Sequence, residues 1–205
     1  PFSASTPVIY KGRAYIGVGG SGNFAPYSGH NISVIDLKSN TIAYSIETRG
    51  YPQASSLLTT AYEKDDQSVY VYFFENLTPG KMRVIKDKPG QTAPSEVEIE
   101  TDNRQNQHIV APTLFTPSGA HAQYVICSPI ADEYGNIYFK NDSSHMFMIG
   151  PTIKELRITQ KPKKTEYTVG ETFDPTGLKV EAVYSTGKTR DITKYIGYNT
   201  NPLSL

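Results

Sequence analysis

Apolar and polar positions alternate over short runs along most of the chain, and helical spacing is missing. No long stretch places apolar residues at i, i+3, i+4 and i+7 without an intervening Gly or Pro. The runs Val8–Tyr10, Ala14–Val18, Ile32–Ile35, Ile42–Ile46, Val69–Phe74, Met82–Ile85, Val97–Ile99 and Ile137–Phe139 are rich in β-branched and aromatic residues and bounded by turn residues. The pattern predicts an all-β chain.

Several turns are written into the sequence. Tyr10-Lys11-Gly12-Arg13 and Asp132-Glu133-Tyr134-Gly135-Asn136 each separate two apolar runs, and each carries a Gly for the positive φ of a tight hairpin. Between Val34-Ile35 and Ile42, Asp36 is placed to accept from turn amides, and Asn40 suits a left-handed conformation. An internal repeat joins these hairpins. Thr6-Pro7-Val8-Ile9-Tyr10 through Ile16 aligns with Ser128-Pro129-Ile130 through Phe139, and Ser56–Tyr72 is a weaker copy. The copies align Tyr15, Tyr70 and Tyr138, at irregular spacing because Gly17–His30 and Asn103–Gln123 read as loop insertions. Each unit reads as one four-stranded propeller blade.

Two resemblances follow from particular residues. Ser128–Gly150 and Asn31–Ile42 resemble the repeat of pyrroloquinoline-quinone-like β-propellers, a likeness that extends over about residues 5–150. Composition then shifts at Gly150-Pro151. Lys161–Thr193, with Tyr167-Thr-Val-Gly-Glu-Thr-Phe173, Gly177-Leu-Lys-Val-Glu-Ala-Val-Tyr184 and Ser185-Thr-Gly187, is similar to the group 3 bacterial immunoglobulin-like domain of surface proteins. Independently of that likeness, Leu178, Val180, Ala182 and Tyr184 alternate as one face of a strand. The expected fold is therefore a partial β-propeller of about three four-stranded blade-like units over 1–150. A truncated immunoglobulin-like β-sandwich of four or five strands follows over 151–205. Both fall short of complete folds of their kind, so the chain is expected to be a piece of a longer secreted polypeptide.

Composition narrows the function. Lys+Arg 20 against Asp+Glu 20 leaves no net charge and hence no basic field for nucleic acid. The apolar runs are too short for a membrane-spanning helix. One cysteine, Cys127, excludes an internal disulfide framework and reads as a buried strand residue. His30, His108, His121 and His145 show no metal-ligand spacing, and no Asp run has the form of a calcium loop, so no metal or cofactor is expected. The glycines from Gly17 to Gly22 precede no helix and read as an inter-strand loop rather than a phosphate cradle. The resembled quinoproteins hold their cofactor against aromatic planes that include Trp. This chain has 15 Tyr and no Trp, so that part of the resemblance does not carry over.

Tyr27, Tyr51, Tyr62 and Tyr134 lie in or near loops, where aromatic rings stack on sugars or anchor a partner, and they are the candidate ligand-binding residues. The reading is a non-catalytic binding or scaffold segment of a bacterial cell-surface protein. Its ligand is a carbohydrate or a surface protein, and self-association would be one way to complete the propeller. The rival is a piece of a secreted propeller enzyme, quinone-dependent or hydrolytic, with its active site in further blades.

Overall fold

The computed structural model describes residues 3–20, 29–100 and 106–197. The chain forms two compact units, residues 1–149 and 150–205. It is all-β, with helix limited to two single 3₁₀ turns among the described residues.

In the first unit, β1 (Val8–Tyr10), β2 (Arg13–Val18), β3 (Asn31–Asp36) and β4 (Thr41–Glu47) form an antiparallel meander in sequence order. Its turns carry the conformations that the residues favour. Lys11 (φ 44°) and Gly12 (φ 75°) close the first hairpin, and Asn40 (φ 55°) ends the third, while Asp36 Oδ1 accepts from the amides of Lys38 and Ser39.

The second sheet contains β5 (Leu57–Thr59), β6 (Val69–Glu75), β7 (Lys81–Asp87) and β10 (Thr113–Phe115), in the order β10-β7-β6-β5. Between β7 and β10 the chain makes a separate hairpin, β8 (Glu96–Glu100) with β9 (Asn106–Val110). The segment Asn103–Gln123, expected as a loop insertion, thus contains two strands. Gln107-His108-Ile109-Val110 alternates too weakly to mark β9, whose residues are all exposed. The third sheet, β11 (Ile130–Ala131), β12 (Ile137–Lys140) and β13 (Met146–Ile149), has three strands where four were expected, because β13 is followed by the second unit.

The three sheets stack face to face. Tyr15, Ile32, Val34, Tyr44 and Ile46 of the first sheet share a dry layer with Val71, Phe73 and Ile85 of the second. The opposite face of the second sheet, with Tyr72, Phe74, Met82 and Val84, packs on Ile137 and Phe139 of the third, joined by Phe147 and Ile149. Period-two alternation makes this possible: successive residues of β6 feed different layers. The tyrosines aligned by the repeat keep one polarity. Tyr15 lies in the layer with the second sheet, Tyr70 borders the layer with the third, and Tyr138 lies on the strand face opposite to Ile137 and Phe139. No sheet closes on itself or into a ring among the described residues.

The second unit has β14 (Ile153–Gln160), β15 (Lys179–Tyr184) and β16 (Thr189–Asp191) as one antiparallel sheet, three strands where four or five were expected. The segment between β14 and β15 is held without ladder bonds. The Tyr167 hydroxyl accepts from the Asp174 amide, and Glu171 accepts from the Thr168 amide and pairs with Lys164. Residues that looked strand-like by composition are here spent on turns.

Candidate functional site

The densest polar cluster is also the least accessible. Arg13 on β2 reaches across to Asp87 at the end of β7 and donates from Nε to Oδ2 and from Nη2 to Oδ1, both at 3.0 Å. The hydroxyls of Tyr15 and Tyr44 donate to the same two oxygens at 2.8 and 2.7 Å, so each carboxylate oxygen accepts twice. Arg13 Nη2 also donates to the Gln91 carbonyl at 2.7 Å. Arg13 is 2% exposed and Asp87 0%. Burial, followed by the Asp87 charge, pushes both phenols well above their ordinary value. The cluster fastens the first sheet to the second through bonds that use both carboxylate oxygens, and Arg13 with Asp36 also borders a cavity of about 490 Å³ lined by Lys11, Lys38 and Pro89.

A second cluster has an open side. Tyr62, Tyr70 and Tyr72 line a cavity of about 220 Å³, with Val84, Val97 and Leu114 as apolar lining and Lys64 and Glu98 supplying charge. The rings of Tyr62 and Tyr70 meet edge to face at 6.3 Å. Glu98 accepts from the Asn106 side chain at 2.6 Å, which ties it to β9. Burial, and then the charge of Asp132, pushes the Tyr62 phenol up to about 12. The cavity lies below the ~300 Å³ usual for drug-sized ligands, so it suits one ring-sized group.

The β11–β12 hairpin supports Tyr62 from behind. Asp132 accepts from the Tyr134 and Asn136 amides, from the Asn136 side chain and from the Tyr138 hydroxyl. Those bonds hold its carboxyl below the usual value against the opposing effect of burial. Gly135 (φ 88°) passes so close to Tyr62 that a Cβ there would sit 2.7 Å from the ring. Gly135→Ala is expected to destabilise the hairpin by about 1–3 kcal/mol and to displace Tyr62. Chemical denaturation together with the Tyr62 ring resonances in an NMR spectrum checks both effects.

Of the four candidate tyrosines, the structure places Tyr62 in this cavity. Tyr134 sits half-buried in the Gly135 turn, next in sequence to the residues that meet the Tyr62 ring. Tyr51 is elsewhere: it is 2% exposed, bonded through its hydroxyl to the Ala4 amide and stacked on His30, so neither ring face is available to a ligand. Neighbouring Gly50 and Pro52 gave the look of an open loop, whereas Tyr51 forms a buried bridge with Asn76. Tyr27 lies outside the described residues. Tyr70 and Tyr72, which lie in the apolar run Val69–Phe74 rather than near a loop, complete the cavity because β6 turns them toward its rim.

Cys127 is half-buried in an irregular segment rather than buried in a strand, and its thiol donates to the Lys140 carbonyl. Exposed Tyr124 and Ile126 alternate with buried Val125, a strand-like pattern in a segment that joins no sheet. His121 and His145, 24 positions apart, meet edge to face at 4.0 Å, a proximity that no spacing rule signals. Among the described residues no three His, Cys, Asp or Glu side chains are grouped to hold a metal ion. No helix there is long and apolar enough to cross a membrane.

In the second unit, Leu178, Val180, Ala182 and Tyr184 are all buried on one side of β15 and its approach. Gly187 (φ 80°) closes the turn to β16 with its amide on the Tyr184 carbonyl, and Thr193 Oγ1 accepts from the Val180 amide at 2.9 Å. Residues 160–196 match the family model of the bacterial Ig-like domain (group 3). The match covers the second unit alone. Ig-like domains of this group are common in bacterial surface proteins. A comparison of the chain with curated proteins gave no match.

Proposed function

We propose that the chain is a non-catalytic ligand-binding segment of a bacterial surface protein, with the first unit taking a carbohydrate and the Ig-like unit acting as spacer. The observation that carries this reading is the Tyr62–Tyr70–Tyr72 cavity. It offers aromatic planes and edges to the C–H faces of a sugar, while Lys64, Glu98 and the phenols supply hydrogen bonds to its hydroxyls. In the Arg13–Asp87 cluster, the most elaborate polar arrangement in the unit, Asp87 is 0% exposed and both its oxygens are already taken by Arg13, Tyr15 and Tyr44. That supports binding over catalysis, and over the rival of a propeller enzyme.

The stacking supports a propeller for the first unit. Three antiparallel sheets follow one another with the same polarity, and the two terminal ones leave Ile9 and Ile42, and Ile130, Met146 and Met148, exposed. Those are the faces that adjoining blades cover in a ring, whether the blades come from further chain or from a second copy. An extracellular location at the cell surface is the setting this reading implies.

Titrating the full chain with neutral oligosaccharides, followed by tyrosine emission and calorimetry, tests the binding site. A sugar that binds to the wild type is expected to bind Tyr62→Ala about tenfold more weakly, at unchanged Ig-like unfolding. Unaltered affinity in Tyr62→Ala would remove the cavity from the proposal.

A further inference from the structure

The first unit has a larger opening at the other end of the β6–β7 hairpin. A cleft of about 730 Å³ lies between the segment that leaves β4 and the β6–β7 turn, and it is flanked by Arg49 and Lys81. Its lining carries two cations, Arg49 and Lys81, against one acid, Glu47. Glu75, the buried acid beside it, is taken by Arg83 Nη1 at 2.7 Å and by the Arg49 amide at 3.2 Å. Among the described residues, neither the Arg49 guanidinium nor the Lys81 ammonium lies within ion-pair distance of a carboxylate.

Thr48 also lines this cleft. It is 3% exposed, and its hydroxyl has no hydrogen-bond partner among the described residues. A buried hydroxyl left unbonded is unfavourable, so a ligand oxygen that reaches it gains a partner already in place. Gly50 lets the two walls come together beside the cleft: a Cβ there would fall 2.6 Å from Leu77 Cγ and 2.8 Å from the Asn76 carbonyl oxygen. Without that glycine the two walls could not approach as they do. Leu77 and Pro79 add apolar lining, and Glu47, also at the cleft, is the one acid opposing an anion.

We propose that this cleft binds the carboxylate of an acidic sugar, so that the carbohydrate taken by the first unit is an acidic glycan. Arg49 and Lys81 clamp the carboxylate from two sides, Thr48 donates to it, and Leu77 and Pro79 contact the ring. The glycan part rests on the reading of the tyrosine cavity; the carboxylate part does not.

The test uses the full chain with short oligogalacturonates, the same oligomers methyl-esterified, and poly-glutamate. The acid is expected to bind more tightly than its ester and to weaken with salt. Arg49→Ala and Lys81→Ala are each expected to lose roughly tenfold for the acid and nothing for the ester. Neither side chain holds another described element, so both variants should fold. Glu47→Gln should tighten acid binding, an effect that damage to the fold does not produce. Acid and ester binding alike, or no change in Arg49→Ala and Lys81→Ala, overturns the clamp and leaves the tyrosine cavity standing. Acid binding that needs Arg49 and Lys81 but ignores Tyr62→Ala supports the clamp and overturns the cavity reading. Poly-glutamate bound as tightly as the oligogalacturonate overturns the assignment to a glycan.

Discussion

Asp87→Ala should unfold the first unit at markedly lower denaturant, with a loss of about 3–5 kcal/mol. The substitution leaves the Arg13 guanidinium charged and 2% exposed, with only the longer 3.4 Å contact to Asp36 as an ion pair, and it strands the hydroxyls of Tyr15 and Tyr44 in a buried layer. Breaking one side of a buried pair costs more than the pair contributes, because desolvation of the remaining charge is no longer offset. Replacing both partners, Arg13→Met with Asp87→Ala, should therefore cost less than Asp87→Ala alone plus Arg13→Met alone. Two phenols would still lack an acceptor, so recovery is incomplete. Denaturant unfolding of the wild type, the two single variants and the double one, with the two units followed by separate probes, gives the coupling directly. A loss under about 1 kcal/mol for Asp87→Ala would contradict the role given to the cluster.

Alkali should unfold the first unit over a narrow range above pH 10. Tyr15, Tyr44 and Tyr72 are all raised from the ordinary value of 10.0, each chiefly by burial. Tyr15 and Tyr44 are raised further by the charge of Asp87. Below pH 10 these groups are protonated in both the folded and the unfolded chain and contribute no pH dependence. Above it the unfolded chain releases its phenolic protons while the folded one keeps them, so stability falls as pH rises. Each such tyrosine removes about 1.4 kcal/mol per pH unit, or roughly 4 kcal/mol for three by pH 11. That is a large share of the ~5–15 kcal/mol that holds a domain together. Ultraviolet titration of the phenols, run beside circular dichroism, should show ionisation of these tyrosines only together with loss of structure. Tyr62 and Tyr70 are raised as well and add to the slope, and Tyr15→Phe should flatten it by removing one of these phenols.

The elements legible in the sequence were those fixed by neighbours in the chain. Alternation in Val69–Phe74 and Leu178–Tyr184, the Lys11-Gly12 turn and the Asp36 and Asp132 turns depend on a few consecutive residues, and the structure contains them. What the sequence concealed depends on pairs far apart. Arg13 and Asp87 are 74 positions apart, and each alone reads as an ordinary charge at a strand end. Tyr51 reads as a loop residue because burial by His30 and Asn76 has no local signature. The tyrosine cavity was half visible. Tyr62 stands out near a loop, whereas Tyr70 and Tyr72 do not, because alternation does not say which face of β6 meets a gap. The cleft at Arg49 and Lys81 left no pattern at all, since its selectivity comes from Arg83 occupying Glu75.

Because β6 is buried on both faces, its sequence was selected for two dry layers at once, and the result is Val-Tyr-Val-Tyr-Phe-Phe with no charge and no proline. Such a hexapeptide is what self-templating fibrils assemble from when it is left uncovered. The run Glu63-Lys64-Asp65-Asp66 ahead of it and Glu75 behind it interrupt the hazard as flanking charges. The order of biogenesis then matters. The strand emerges from synthesis or export before the third sheet that shields one of its sides, so the time between the two sets its exposure to neighbouring chains.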